Sequence, residues 1–184
     1  MFSDADKNNM LSAAREVLSV CVRGEEVKIP ESLSKLDSEP MGVFVTLHTR
    51  KGELRGCIGY IEGVKSLPEA IVEMTKAAAT EDPRFDPVKE AELNDVVLEI
   101  SLLSPLQKIE SPDAIEVGKH GLVVSKGHNK GLLLPQVATE NDWNKITFLE
   151  HTCEKARLPR DAWKSEETEI SIFSAEVFEE KISD

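Results

Sequence analysis

The sequence predicts an α+β chain, a mainly antiparallel sheet with flanking helices, and three observations carry that expectation. Two stretches alternate and reverse as hairpins, one around Lys51-Gly52 and one around Gly127 to Gly131. Three others repeat apolar residues at three- and four-residue steps, as amphipathic helices do. The composition, 40% hydrophobic and 30% charged over 184 residues, is that of a chain able to fill a core.

Residues 8 to 23 read as the first helix, with Met10, Ala14, Val17, Leu18 and Cys21 on one face and Gly24 able to end it. A polar connection with Pro30 and Pro40 follows. Met41 to His48 alternates as a strand and Leu54 to Tyr60 returns as its partner. A two-residue Lys51-Gly52 loop sets Thr46 opposite Cys57 and His48 opposite Arg55, with His48 diagonal to Cys57 at roughly 7–8 Å. That register gathers Val43, Val45, Leu47, Leu54, Ile58 and Tyr60 on one apolar side; a slip by one mixes the faces.

Ser66-Leu67-Pro68-Glu69 has capping-box spacing and opens a second helix, which must stop before Pro83. Asp82-Pro83-Arg84-Phe85-Asp86-Pro87 reads as a rigid turn. Residues 95 to 103 form a buried strand, and Leu122–Ser125 pairs with Leu132–Leu134. Residues 144 to 157 are helical, with Ile146, Leu149, Cys153 and Ala156 on one face and His151 nearly opposite. Glu169 to Phe178 closes the chain as an alternating strand, and the acidic residues around it read as a solvated edge.

Net charge is −12, a field that repels phosphate backbones and argues against general nucleic-acid binding. One local basic pocket is compatible with that average. Met1 to Asn9 is polar, and Met10 to Val22 is interrupted by Arg15 and Glu16, so neither a signal peptide nor a membrane segment is expected. The three scattered cysteines make no disulfide framework, and the expected location is cytoplasmic. No phosphate-loop, dinucleotide, nucleophile-elbow or zinc spacing is present, so neither cofactor nor metal is expected.

Leu54-Arg55-Gly56-Cys57-Ile58-Gly59 stands out. Glycine weakens a strand interior unless the chain bulges or something approaches its backbone closely. Here Gly56 and Gly59 flank Cys57, and Arg55 is placed to stabilise a thiolate. A structural alternative is equally physical: a small cysteine packed beneath a helix, Asp82 bonding nearby backbone, Arg84 and Phe85 anchoring the turn, His120 a turn residue.

The same six residues resemble the signature of the AMMECR domain family, named after the protein of a human chromosomal deletion syndrome. The similarity continues through Gly42-Val43-Phe44-Val45-Thr46-Leu47, Asp82-Pro83-Arg84-Phe85, Gly118-Lys119-His120-Gly121-Leu122, Leu134-Pro135-Gln136-Val137, Trp143, Phe148-Leu149 and Cys153-Glu154-Lys155-Ala156. Arg157 stands where the family has a glycine. The resemblance implies a single domain over residues 1–184, with a larger and a smaller lobe in one compact unit sharing a cleft. It makes Arg55, Cys57, Asp82, Arg84, His120 and Gln136 candidates for that cleft.

The leading expectation is an enzyme or a component of a modification system. Cys57 would be its nucleophile or ligand contact and His120 a proton carrier. Arg55, Gly56, Gly59, Thr46, Asp82, Arg84 and Gln136 would hold a small anionic ligand. The alternative is a non-catalytic module docking a partner similar to Memo or to radical-SAM proteins, which the resemblance implies as neighbours.

Overall fold

The computed structural model describes residues 2–33, 36 and 39–181. The chain divides into two compact units, Met1–Leu103 with Glu176–Asp184, and Ser104–Ala175. Each builds an antiparallel sheet against its own helices, the α+β architecture that the hairpin and helix patterns predict.

Unit one opens with α1 (Asp4–Val22), which starts four residues earlier than its apolar stripe announces. Ser3 supplies the reason: its hydroxyl accepts the Asp6 amide while the Asp6 carboxylate accepts the Ser3 amide, a reciprocal cap needing no apolar residue. Strands β1 (Gly42–Thr49), β2 (Leu54–Tyr60) and β3 (Val96–Leu103) form a sheet in the order β2-β1-β3. Helix α2 (Leu67–Thr80) begins at the expected Ser66/Glu69 capping box, and its chain turns away at Asp82. Val43, Val45, Leu47, Leu98 and Ile100 are fully buried with Leu67, Ile71 and Leu18 in one core.

The hairpin corrects the sequence reading in an instructive way. Its loop has three residues, Arg50 to Gly52, closed by Thr49 N–H donating to the Glu53 carbonyl at 2.8 Å. Gly52 takes the left-handed conformation, φ 82°, that such a loop needs. A bulge between Leu47 and His48 then shifts the register by one. The longer loop and the bulge cancel, so Thr46 still faces Cys57, while His48 faces Leu54 rather than Arg55. Leu54 consequently leaves the apolar face and stands exposed.

Glu180 is the second correction. Its carboxylate is no solvated edge: it accepts Nε and Nη2 of Arg15 and the Leu98 amide. Arg15 also donates to the carbonyls of Leu93 and Val96, so one guanidinium ties α1 to the start of β3 and the end of the chain.

Unit two contains β4 (Gln107–Ile109), β5 (His120–Lys126), β6 (Asn129–Leu133), α3 (Pro135–Glu140) and α4 (Lys145–Lys155). Strand β7 (Glu169–Glu179) pairs there with β4 and β5. Lys126 pairs with Asn129, so the second hairpin turns on Gly127-His128 alone and the strands run further than expected. Leu122, Val124, Phe148, Leu149 and Cys153 fill its core. No described helix is long and apolar enough to cross a membrane.

Candidate functional site

Antiparallel alternation sends Phe44, Thr46 and His48 to one face of β1, the face opposite the buried Val43, Val45 and Leu47. The register aligns Thr46 with Cys57 on one side and Glu99 on the other. Thr46 Oγ1 donates to Cys57 Sγ at 3.2 Å, and His48 Nε2 lies 3.9 Å from a Glu99 carboxylate oxygen. Phe44 pairs with Ser101, whose hydroxyl is buried at 1% exposure with no hydrogen-bond partner among the described residues. Cys57, Thr46, Glu99, His48 and Ser101 therefore form a polar patch on an otherwise apolar sheet.

The Asp82 turn reaches this patch through the main chain of β2. Asp82, 4% exposed, accepts the Cys57 amide at 2.9 Å and the Arg84 amide at 3.1 Å. Arg84 closes a bidentate pair on the same carboxylate, at 2.9 Å through Nε and 2.6 Å through Nη2. Its Nη2 also lies 3.3 Å from the Cys57 carbonyl. Strand β2 is the sheet edge, so the outward N–H and C=O of Cys57 are satisfied by this pair as a neighbouring strand would satisfy them. The Arg84 bonds hold the Asp82 carboxyl well below the usual carboxylate range, and the Asp82 carboxylate raises Arg84 in turn.

Arg55 does not serve the thiol. It grips Glu92 at 2.8 and 3.1 Å and donates to the Asp86 carbonyl, fastening the segment after the turn to β2. The Arg55 bond lowers the Glu92 carboxyl below its usual range. Both guanidinium carbons, of Arg55 and Arg84, stand 6.0 and 5.5 Å from the Phe85 ring centroid.

Burial pushes the Cys57 thiol above its ordinary pKa, the Thr46 hydrogen bond and Arg84 oppose that shift, and Asp82 and Glu99 reinforce it. Arg55, expected to stabilise a thiolate, is instead bonded to Glu92 and Asp86, and Arg84 is the arginine that opposes the upward shift. The structure also reassigns the two glycines. A side chain at Gly56 would overlap the Ala78 carbonyl, so this glycine lets β2 lie directly on α2. One at Gly59 would overlap the Phe44 ring and the Val43 carbonyl. Neither leaves room for a second backbone.

Residues 11–178 match the family described as AMMECR1. The chain belongs to the AMMECR1 family. Relatives agree across the whole length: a protein of Aquifex aeolicus is 45% identical, covering 96% of this chain and 93% of its own. One of Methanosarcina barkeri is 44% identical over 98% of this chain and 93% of its own. The crystal structure of an uncharacterized protein from Pyrococcus horikoshii superposes with a TM-score of 0.90 at 40% identity, over 98% of this chain and 94% of that one.

Within this AMMECR1 chain, Thr46, Arg55, Gly56, Cys57, Gly59, Asp82 and Arg84 all lie in unit one, and His120 and Gln136 lie in unit two. His120 opens β5, and its Nδ1 accepts the Glu116 amide at 3.2 Å, closing the turn before the strand. Gln136 sits in the first turn of α3, half-buried. His151 stacks on Trp143 at 4.0 Å and pairs with Glu154, on the opposite side of α4 from buried Cys153. No group of three or more His, Cys, Asp or Glu among the described residues could hold a metal.

Sequence reasoning missed Glu92, Glu99 and Ser101. Glu99 and Ser101 carried a readable signal, two polar residues at alternate positions in a strand otherwise made of Val, Leu and Ile. Glu92 carried none, because its partner Arg55 lies 37 residues away.

Proposed function

We propose that the Cys57 face of unit one is a non-covalent recognition site for a small polar ligand, with Cys57 contributing a neutral thiol. One observation carries this reading: the carboxylate and guanidinium beside Cys57 are paired with each other and with its main chain, while burial pushes its thiol up. An enzyme using a thiolate nucleophile needs the opposite electrostatics.

The chemistry of the ligand follows from what faces it. Thr46, Cys57, His48 and Glu99 offer hydrogen bonds of both senses, with the buried Ser101 hydroxyl, which has no partner among the described residues, behind them. Arg84, its side chain 52% exposed, keeps Nη1 without a partner among the described residues and offers one donor to an acidic group. Asp82 already neutralises that guanidinium, so the reading favours a neutral or singly charged group, an amide or a carboxylate, over a phosphate dianion. The docking alternative draws no support from Gly56 and Gly59, which the chain's own Ala78 and Phe44 occupy.

Amide-resolved NMR of the labelled protein, titrated with acetate, acetamide and methyl phosphate, tests the reading. The expected result is saturable shifts at Cys57 and Arg84 with acetate or acetamide, with no covalent adduct by mass. No shift at either residue with any of the three overturns it, as does rapid stoichiometric alkylation of Cys57 at pH 7.

A further inference from the structure

The net charge conceals a cationic groove in unit one that the Cys57 site does not use. One face of α1 forms a wall of it, with Asn8, Ser12, Arg15, Ser19 and Arg23 recurring at the helical repeat. By the helix rise, Asn8 to Arg23 spans about 22 Å. Arg50, from the tip of the β1–β2 hairpin, and Asn94 also line it. The groove has a volume of about 750 Å³, and four cationic side chains line it against two carboxylates. One of those carboxylates, Glu180, is already held by Arg15.

Two of the guanidiniums are held in an unusual manner. Arg50 donates through Nε to the Asn94 carbonyl at 2.9 Å, and its own amide donates to the Asp95 carbonyl. Arg23 donates through Nε to Glu90 at 3.0 Å. Each is anchored by its inner nitrogen, and the outer Nη1 and Nη2 of both have no partner among the described residues. An anchored guanidinium with a free outer edge is the arrangement that binds carboxylate or phosphate oxygens, because the fork is oriented before the ligand arrives. Arg84 differs, since its outer edge is occupied by Asp82. Leu93 and Val96 add apolar lining beside the cations, and Ser12 adds a hydroxyl with no partner among the described residues.

We infer that this groove is a second ligand site, taking an oxyanion of two or more charges on the free edges of Arg23 and Arg50 and its uncharged body along α1. Phosphate and dicarboxylate ligands share the required chemistry. Glu90 and the remaining carboxylate, Glu179, offset part of the positive charge, so the preference for two charges rests on the two outer guanidinium edges of Arg23 and Arg50, each able to take one anionic group.

The test is a titration of the full chain with pyrophosphate and, separately, with succinate, read at the Arg Nε–H and backbone amide signals. Sodium chloride at matched ionic strength is the control. The expected result is saturable shifts at Arg23, Arg50 and Asn94, with affinity falling at least tenfold in Arg50→Ala. Pyrophosphate alone binding assigns a phosphorylated ligand, succinate alone a dicarboxylate, and both a general oxyanion site. Shifts that chloride reproduces, or binding that survives the Arg23→Ala/Arg50→Ala pair, overturn the inference. Both arginines are exposed, so circular dichroism of the variants is expected to match the parent protein.

Discussion

The Asp82 carboxylate accepts the main-chain N–H of Cys57 at 2.9 Å, and through Arg84 it also governs the Cys57 carbonyl. A side chain from a turn thus completes an edge strand at a single residue. The arrangement fixes where the Cys57 backbone sits and denies that part of the edge to a pairing strand from elsewhere.

Replacing Asp82 with Ala is expected to destabilise the protein by about 1–3 kcal/mol, the usual penalty for stranding a buried donor. Arg84 is half exposed and can turn to water, which keeps the figure from rising further. Hydrogen exchange at the Cys57 amide checks the mechanism separately from the global effect. Exchange at Cys57 should accelerate more than exchange at Val45, whose partner Ile58 is untouched.

The same pair predicts a direction in acid. The folded Asp82 carboxyl titrates below its unfolded value of about 3.9, so its contribution is complete above that pH and declines as pH falls towards the folded value. Denaturant midpoints of the parent protein and Asp82→Asn should therefore differ most at neutral pH and converge below about pH 4. A gap that widens in acid would mean that the carboxyl is raised rather than lowered.

Cys57 should alkylate slowly at neutral pH, with a midpoint above the ordinary thiol range. Thr46→Val removes the hydrogen bond that favours the thiolate, so the midpoint moves further up and the rate at fixed pH falls by about two- to tenfold. Mass spectrometry of the native protein reads Cys57 beside buried Cys153 in one experiment. An increase in rate in Thr46→Val would show that the threonine shields the sulfur instead of bonding it.

These outcomes depend on contacts that the sequence discloses unevenly. Periodicity was enough to place the helices, the two hairpins and the Thr46–Cys57 pairing, because burial of one face fixes register. It missed the bulge: a two-residue loop and a three-residue loop with a bulge give the same pairing beyond it, and only Leu54 and His48 tell them apart. The Asp82 contact spans 25 residues and ends on a main-chain group, which no side-chain pattern encodes. Glycine spacing signalled a close approach at Gly56 correctly, yet could not say that the visitor was α2.

Gly56→Ala tests that last point. The added methyl meets the Ala78 carbonyl, a main-chain atom that cannot rotate aside, so β2 and α2 must separate. A loss of about 1–3 kcal/mol or more is expected. Gly52→Ala provides the contrast, having open space but a positive φ of 82°, and should lose only about 1 kcal/mol. Equal losses in urea unfolding would argue that the α2 contact yields easily.

Arg157 predicts a gain. Helix α4 ends in a Schellman turn, with Arg157 N–H donating to the Glu154 carbonyl at 2.8 Å and Leu158 N–H to the Cys153 carbonyl at 2.9 Å. That turn puts Arg157 at φ 58°, where its Cβ crowds the following carbonyl at a cost of about 1–2 kcal/mol. Glycine would suit this position, and with arginine the turn is intact but strained. The side chain is exposed and no ion pair among the described residues uses it. Arg157→Gly should therefore relieve the strain, offset in part by the greater freedom of glycine in the unfolded chain. The net expectation is a thermal midpoint raised by about 1–4 °C. Arg157→Asn, which tolerates the same conformation, should recover part of the gain, and Arg157→Val should lose stability. A fall in midpoint for the glycine variant would show that the arginine side chain holds the turn by a contact stronger than the strain it imposes.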